Sequence, residues 1–365
     1  MALAATVHRL FSQLPDMLFI HQHTCISPQQ TFTGIDIESM KESVDNKLKA
    51  LEPSYEGIPP GILRRMGKAV RMGVGAALPL LQPASPVDGI IIGTANGGLE
   101  DCIKFLNQII DYEEGLLTPG NFVQSTPNAI AAQVGLMTRN KSYNITHVHR
   151  GLAFEMALVD AAMLVTENPG HTYLLGAVDE ISSYNFNIDF LDGWYKKEKV
   201  SNKKLFDSQT AASIAGEGAA MFLVNGRQEG ATAQVKALQT LHTDDKEAIK
   251  QAFEAFIRRH FPGDNKPDIL LTGENGDIRL IPYYTACESV IPSATLLRYK
   301  HLCGEYPTTT SFAFWLCCYL LGIQTIPDHM IKKGQHDRSI KNIVVYNNYK
   351  GRQHVFALIA KTGEH

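Results

Sequence analysis

No C-x-x-C pair and no spaced cysteine framework occurs in this 365-residue chain. Its six cysteines stand at 25, 102, 287, 303, 317 and 318. That pattern excludes a disulfide scaffold, makes a zinc site improbable, and reads as the free thiols of an intracellular protein. No basic stripe is present, and the net charge is −3. Nucleic acid is therefore not an expected partner. The nearest approach to a stripe, Lys196 to Lys204, reads as a short solvated loop. The N-terminus lacks the basic start, apolar core and cleavage site of a signal peptide. The longest apolar run, Phe312 to Ile323, is too short to span a bilayer and predicts a buried helix. A cytoplasmic protein is expected. Charged residues make up only 19% of the chain against 44% apolar, so much of the mass lies inside or at a permanent subunit interface.

Short apolar runs alternate with helical patterns, which predicts an α/β layered fold. Met17 to His21 reads as a first strand, closed by Ser27-Pro28. Leu63 to Leu81 reads as a helix with a basic face of Arg64, Arg65, Lys68 and Arg71. Gly89-Ile-Ile-Ile-Gly93 has the unbroken apolarity of a buried parallel strand and runs into the turn Thr94 to Gly98, before a helix starting near Leu99. Asp268 to Thr272 followed by Gly273-Glu-Asn-Gly276 repeats that strand and turn, and Tyr173 to Ala177 has a counterpart in Ile343 to Tyr346. Two similar halves packed as one body are expected, residues 1–185 and 186–365. The polar stretch Phe186 to Asp207 would connect them, and Gly216 to Val224 would re-enter as a strand.

Five segments in order resemble the β-ketoacyl synthases of the thiolase superfamily. Ile92-Gly-Thr-Ala-Asn-Gly-Gly-Leu99 looks like that family's strand and Gly-Gly-Leu turn. Leu117 to Asn128, followed by Ala131 and Val134, resembles its SPxxFxxSxxN helix at the dimer interface. Phe206-Asp207 with Gly216-Glu-Gly-Ala219 is similar to its PFD…GEGAG segment, and Tyr299 to Gly304 to its TKSxxGH loop. Asn347 to Gly351 with Val355 to Ile359 resembles its final NSFGFGGTN turn and strand. The resemblance implies a thiolase-like fold, two βαβ halves in a five-layer α-β-α-β-α body, with no cofactor.

The family's reaction needs a thiolate at a helix N-terminus, where the dipole and free amides favour the anion, together with two histidines. In Tyr143 to Leu158, a strand running into a helix, there is no cysteine. Aligned through Gly151, the nucleophile position falls on Val148, and a one-residue shift would place it on His147 or His149. The first family histidine falls on Thr272 or Gly273 and the second on Glu305, while the lysine before it survives as Lys300. With all three groups replaced, the resemblance implies a catalytically vestigial homologue. Its nearest counterpart in role is the chain-length factor, which pairs with an active ketosynthase and walls the acyl tunnel. Phe122, Gln124 and Asn128 on the interface helix are then candidates for the tunnel and dimer contact.

Several residues invite other readings. His147 and His149 would share one strand face, but no acid stands at a spacing that completes a metal site, so they read as polar filling. Thr285-Ala-Cys-Glu-Ser289 mimics a nucleophile motif in the wrong half. Cys303 borders the old centre and reads as a small buried apolar residue. Glu305 beside Lys300 reads as a structural ion pair. Three functions are open on these residues. The first is a heterodimeric partner of an active ketosynthase, extending acyl chains on an acyl carrier protein in fatty-acid-like or polyketide synthesis, aryl-polyene pigments included. The second is an acyltransferase or malonyl decarboxylase using His147, His149, Glu305 or Cys303. The third is a non-catalytic scaffold docking an acidic carrier protein on the basic helix.

Overall fold

Ile90, Ile91 and Ile92 are all fully buried, yet they serve different cores: Ile91 belongs to one hydrophobic cluster, Ile90 and Ile92 to another. Successive side chains on a strand point to opposite faces, so both faces of this strand are covered. The computed structural model describes residues 18–81, 86–115, 117–263, 265–335 and 338–363. Its first five main strands are β1 (Leu18–Ile26), β2 (Gly89–Thr94), β3 (Tyr143–Val148), β4 (Tyr173–Asp179) and β5 (Gly218–Asn225). They lie side by side in the order β1-β5-β4-β2-β3. Next come β6 (Ala233–His242), β7 (Ile269–Thr272), β8 (Thr295–Arg298), the three-residue β9 (Ile331–Lys333), β10 (Asn342–Tyr349) and β11 (Gln353–Lys361). Leaving out β9, their order β6-β11-β10-β7-β8 repeats the first set strand for strand. Directions repeat too. β2 runs parallel to β3 and β4 as β7 does to β8 and β10, and β5 and β11 are antiparallel to both neighbours.

The helices follow the same repeat. α1 (Lys68–Ala77) and α3 (Ala129–Thr138), between which α2 (Leu99–Asp111) falls in the sequence, cover the outer face of the first sheet, placing Val70, Val74, Ile130 and Val134 against Ile90 and Ile92. α6 (Lys246–His260) and α7 (Ile281–Glu288) cover the second, with Phe253 and Tyr284 against Leu270 and Val344. Between the sheets lie α4 (Ala153–Glu167) and α8 (Thr309–Ile323), where Phe154 meets Phe314 edge-on at 5.0 Å. This is a five-layer α-β-α-β-α body. Each large apolar side chain buried in such a seam contributes about 1.5–3 kcal/mol. The two sheets join where Leu18, Phe19 and Ile20 pair with Val235, Gln234 and Ala233.

The structure departs from the sequence reading at four places. β1 extends to Ile26, and Met17 lies outside the described residues. The helix expected over 63–81 is shorter: a turn at Pro60–Leu63, then α1 only from Lys68, because Gly67 takes an extended conformation at its N-cap. Pro79 then tightens the end into a 3-10 turn over Leu78–Leu80. The stretch 186–207 is not one loop, since α5 (Ser183–Leu191) begins where the Ser182 hydroxyl accepts from the Asn185 amide. α5 also straddles the expected 185/186 division, and β5 sits in the first sheet. The topology thus points to a division between Asn225 and Ala233.

Candidate functional site

The parallel strands of both sheets end on one side, where ligands of open α/β sheets gather and where α4 and α8 begin. Asp179, at the end of β4, ties the two halves there. Its Oδ1 accepts from the amides of Ala95 and Asn96, both at 3.0 Å, and from the Thr94 hydroxyl at 3.1 Å. Its Oδ2 accepts from the Thr308 hydroxyl at 2.8 Å, just ahead of α8. Burial raises the Asp179 pKa, and these hydrogen bonds oppose the rise.

Beyond β8, Lys300 is fully buried and its Nζ lies 2.7 Å from Glu305 Oε2. Asn275 donates to the same oxygen at 2.6 Å, while Oε1 has no hydrogen-bond partner among the described residues. The lone carboxylate of Glu305 is therefore held by a cation and an amide. Thr272 donates to the Leu297 carbonyl at 3.2 Å and so serves the sheet. Gly273 is pressed against Asn347: a Cβ there would lie 2.1 Å from Asn347 Oδ1, so a side chain at this position would force Asn347 to shift. Cys303 is buried, and desolvation drives its thiol well above the usual range, which leaves no thiolate to act. Burial likewise raises the thiol of Cys287 in the nucleophile-like 285–289 segment, which forms the end of α7.

Lys196 corrects the reading of 196–204 as a solvated loop. It is 2% exposed, and its ammonium donates to the Thr210 hydroxyl at 2.8 Å and to the Gly276 carbonyl at 3.3 Å. Lys197, Lys199, Lys203 and Lys204 are the exposed members. The Gly276 contact steadies the turn that carries Asn275 to Glu305.

One carboxyl in this region escaped the sequence reading. Glu155, in the first turn of α4, is fully buried, and neither carboxyl oxygen has a hydrogen-bond partner among the described residues. Burial raises its pKa to about 7, against a smaller downward pull from the nearby Thr310 hydroxyl. Thr310 accepts from Asn347 Nδ2 at 3.0 Å, which links Glu155 through Thr310 to Asn347 and Gly273. A residue at i, i+3 and i+7 of Glu155, Leu158 and Ala162 shares one buried helix face, and that periodicity was the available signal.

Val148 stands at the surface, unlike Gly273 and Glu305. It ends β3, is 53% exposed, and stands five positions before α4. The helix N-terminus itself is formed by the turn Arg150–Leu152, with Arg150 in the left-handed region at φ 45°. Gly151 there donates its amide to Gln353 Oε1 at 2.9 Å and abuts Tyr349. His147 and His149 do not form a pair on one strand face, because the strand stops at Val148. His147 Nε2 instead lies 2.9 Å from Asp160 Oδ2, to which the Tyr143 hydroxyl also donates at 3.0 Å. Asp160 is thus the acid the spacing did not reveal. These residues line a groove of about 430 Å3 with Val148, His149, Met156, Val159 and Met163. Among the described residues no group of three or more His, Cys, Asp or Glu is arranged to hold a metal.

The expected interface helix is two pieces, Pro119–Gln124 and α3. Phe122 is 61% exposed and packs against Phe105 with the rings tilted and their centroids 5.3 Å apart. Gln124 is tied down, accepting from the Gly67 amide at 2.5 Å and donating to the Arg65 carbonyl. Asn128 accepts from the Thr146 hydroxyl at 3.3 Å. The basic helix is corrected as a docking face: Lys68 pairs with the buried Glu217 and Arg71 is held by Glu52, while Arg64 and Arg65 lie ahead of α1. Among the described residues no helix is long and apolar enough to cross a membrane.

Residues 39–188 match the family model of the β-ketoacyl synthase N-terminal domain. No curated protein sequence matches the chain. Among solved structures, a β-ketoacyl synthase from Burkholderia phymatum superposes at a TM-score of 0.75 and 12% identity, covering 95% of this chain and 100% of that one. The ishigamide ketosynthase/chain length factor gives 0.76 at 13% identity over 96% and 100%. A type II polyketide synthase acyl-carrier protein in complex with its ketosynthase, bound to the hexaketide, gives 0.71 at 14% over 95% and 99%. At such identities the superpositions establish the shared fold.

Proposed function

We propose that this β-ketoacyl synthase homologue, with the family's N-terminal domain over residues 39–188, is a catalytically silent subunit. It pairs with an active ketosynthase and helps extend acyl chains held on an acyl carrier protein in fatty-acid-like or polyketide synthesis. The observation that carries this is the fate of Glu305. Standing where the resemblance expects a catalytic histidine, it is bound to the buried Lys300 and to Asn275, with Gly273 bare beside Asn347. Nothing at these positions offers a nucleophile, and the nearby Cys303 is held as a thiol.

The pairing surface is read from the ends of the sheet. β3 has one hydrogen-bonded neighbour, contains no charged side chain other than the potential charge of His147, and exposes Tyr143 and Val148. Exposed Leu136 and Met163 extend the patch. A long uncharged edge strand flanked by apolar groups is a template for another strand. The partner would lay its own edge beside β3, so a second ketosynthase-fold subunit fits best. Cytoplasmic placement accompanies this reading.

The test is an intact-mass assay of the purified chain with malonyl- and acyl-carrier protein, alone and with a candidate ketosynthase. Elongation by the mixture, with no acyl uptake or CO2 release by the chain alone, is expected. An acyl adduct or CO2 from the chain alone would overturn the silent-subunit reading in favour of an acyltransferase or decarboxylase.

A further inference from the structure

The groove beside β3 is apolar along most of its wall and polar at one end. Met156, Val159 and Met163 form a stripe on α4 at i, i+3 and i+7, and Val148 faces them from the strand. The polar end is made by Asp160, which stands on the same helix. Its carboxylate receives the Tyr143 hydroxyl at 3.0 Å on Oδ2 and 3.3 Å on Oδ1, and His147 Nε2 at 2.9 Å. An ionised carboxylate accepts about four hydrogen bonds, so this one keeps unused acceptor capacity. The Tyr143 oxygen, having donated its hydrogen, is likewise an acceptor. The Asp160 carboxylate and the Tyr143 oxygen therefore both have room to accept a hydrogen from a ligand.

From this we infer that the groove takes an extended aliphatic chain whose distal end carries a hydrogen-bond donor, a hydroxyl group being the simplest, and that Asp160, His147 and Tyr143 select for it. The inference rests on the reading above, because in an acyl-extending pair the chain arriving at the shared edge is the growing acyl chain. A methyl-ended chain would leave the carboxylate facing apolar atoms and displace its water without replacement, whereas a hydroxyl end restores a charge-assisted hydrogen bond. The chain-lining methionines adapt to different lengths, so this groove discriminates the end group more than the length.

The purified chain, labelled with 13C at the methionine methyls, is titrated with 12-hydroxydodecanoate and with dodecanoate below their micellar concentrations. Met156→Leu and Met163→Leu assign the two groove signals. Both signals are expected to move, with the hydroxy acid binding roughly tenfold more tightly, the value of one good hydrogen bond to a charged acceptor. Asp160→Asn or, more gently, Tyr143→Phe is expected to narrow that ratio toward one while the methionine shifts persist. Equal affinity of the two acids, shifts confined to other methionines, or an unchanged ratio in both variants would overturn the inference. Elongation by the mixed subunits is scored separately. Failure there with the preference intact removes the pairing reading alone, and elongation without the preference removes this inference alone.

Discussion

The two halves share one topology and finish it differently. The second sheet ends in β9, three residues long, and two of them, Lys332 and Lys333, are charged. Lys332 lies between Glu274 and Glu288, and Glu274 also meets Arg298 at 3.5 Å. Behind it, Lys300 and Glu305 pair in the interior. The first sheet ends in the six-residue β3, its groove open, with Glu155 buried and unpartnered behind it. Short charged strands are how proteins stop unwanted pairing, so the second half is protected against further strands while the edge of the first carries no such device. Duplication of a fold does not duplicate its finish: one copy carries ion pairs at its edge, the other an open, mostly apolar surface.

The comparison breaks most readily at its most paired point. Lys300→Met leaves Glu305 buried without its cation and is expected to cost about 3–5 kcal/mol, measured by denaturant unfolding. A cost under about 1 kcal/mol would mean that the Lys300–Glu305 pair is not a fastener.

Glu155 sharpens the contrast from the other side. Its pKa is raised from the ordinary 4.5 to about 7. The folded chain thus keeps a proton that the unfolded chain releases, so stability falls as pH rises from about 4.5 to about 7 and is unaffected by this group outside that window. Glu155→Met is expected to gain about 3 kcal/mol over the wild type at pH 8 and little at pH 4.5. A pH-independent difference between the two unfolding curves would show that the carboxyl is not the titrating group.

The smallest expected effect transplants the second half's device to the first. Val148→Lys puts a charge on the open edge and is expected to weaken association with the proposed ketosynthase partner at least tenfold, about 1.4 kcal/mol. Stability of the isolated chain should change by no more than about 0.5 kcal/mol, since the position is exposed. Unchanged association, read by analytical ultracentrifugation or interferometry, would move the contact elsewhere.

The strands around Gly89–Gly93 and Ile343–Tyr346 were legible because fully apolar runs have no other comfortable place, and the buried α8 for the same reason. The Lys300–Glu305 spacing lay within reach as a pair on one loop. Asp160 was hidden because its partner His147 lies across a strand-to-helix turn, and pairing there depends on packing, not on spacing. Glu155 sits in Ala-Phe-Glu-Met-Ala-Leu, where an acidic first-turn residue is ordinary helix chemistry, and only its place between two sheets makes it costly. Lys196 resembled its exposed neighbours in composition. Its carbonyl cage is assembled from Thr210, Ala211 and Gly276, two of them in a neighbouring loop and one from the second half.

The seam at β1 governs how the molecule is made. β1 leaves the ribosome long before its neighbours, since Phe19 pairs with Asn225 and Leu18 with Val235. At roughly 5–20 residues per second, its neighbours arrive on the order of 10–40 s later. Throughout that interval β1 has neither lateral partner, and the β2–β4 ladder lacks the antiparallel strand that closes it. Newly made first halves must therefore wait with strand edges uncovered. Crowded polysomes would favour premature pairing there, so synthesis rate and chaperone supply, more than final stability, set the yield of correctly assembled protein.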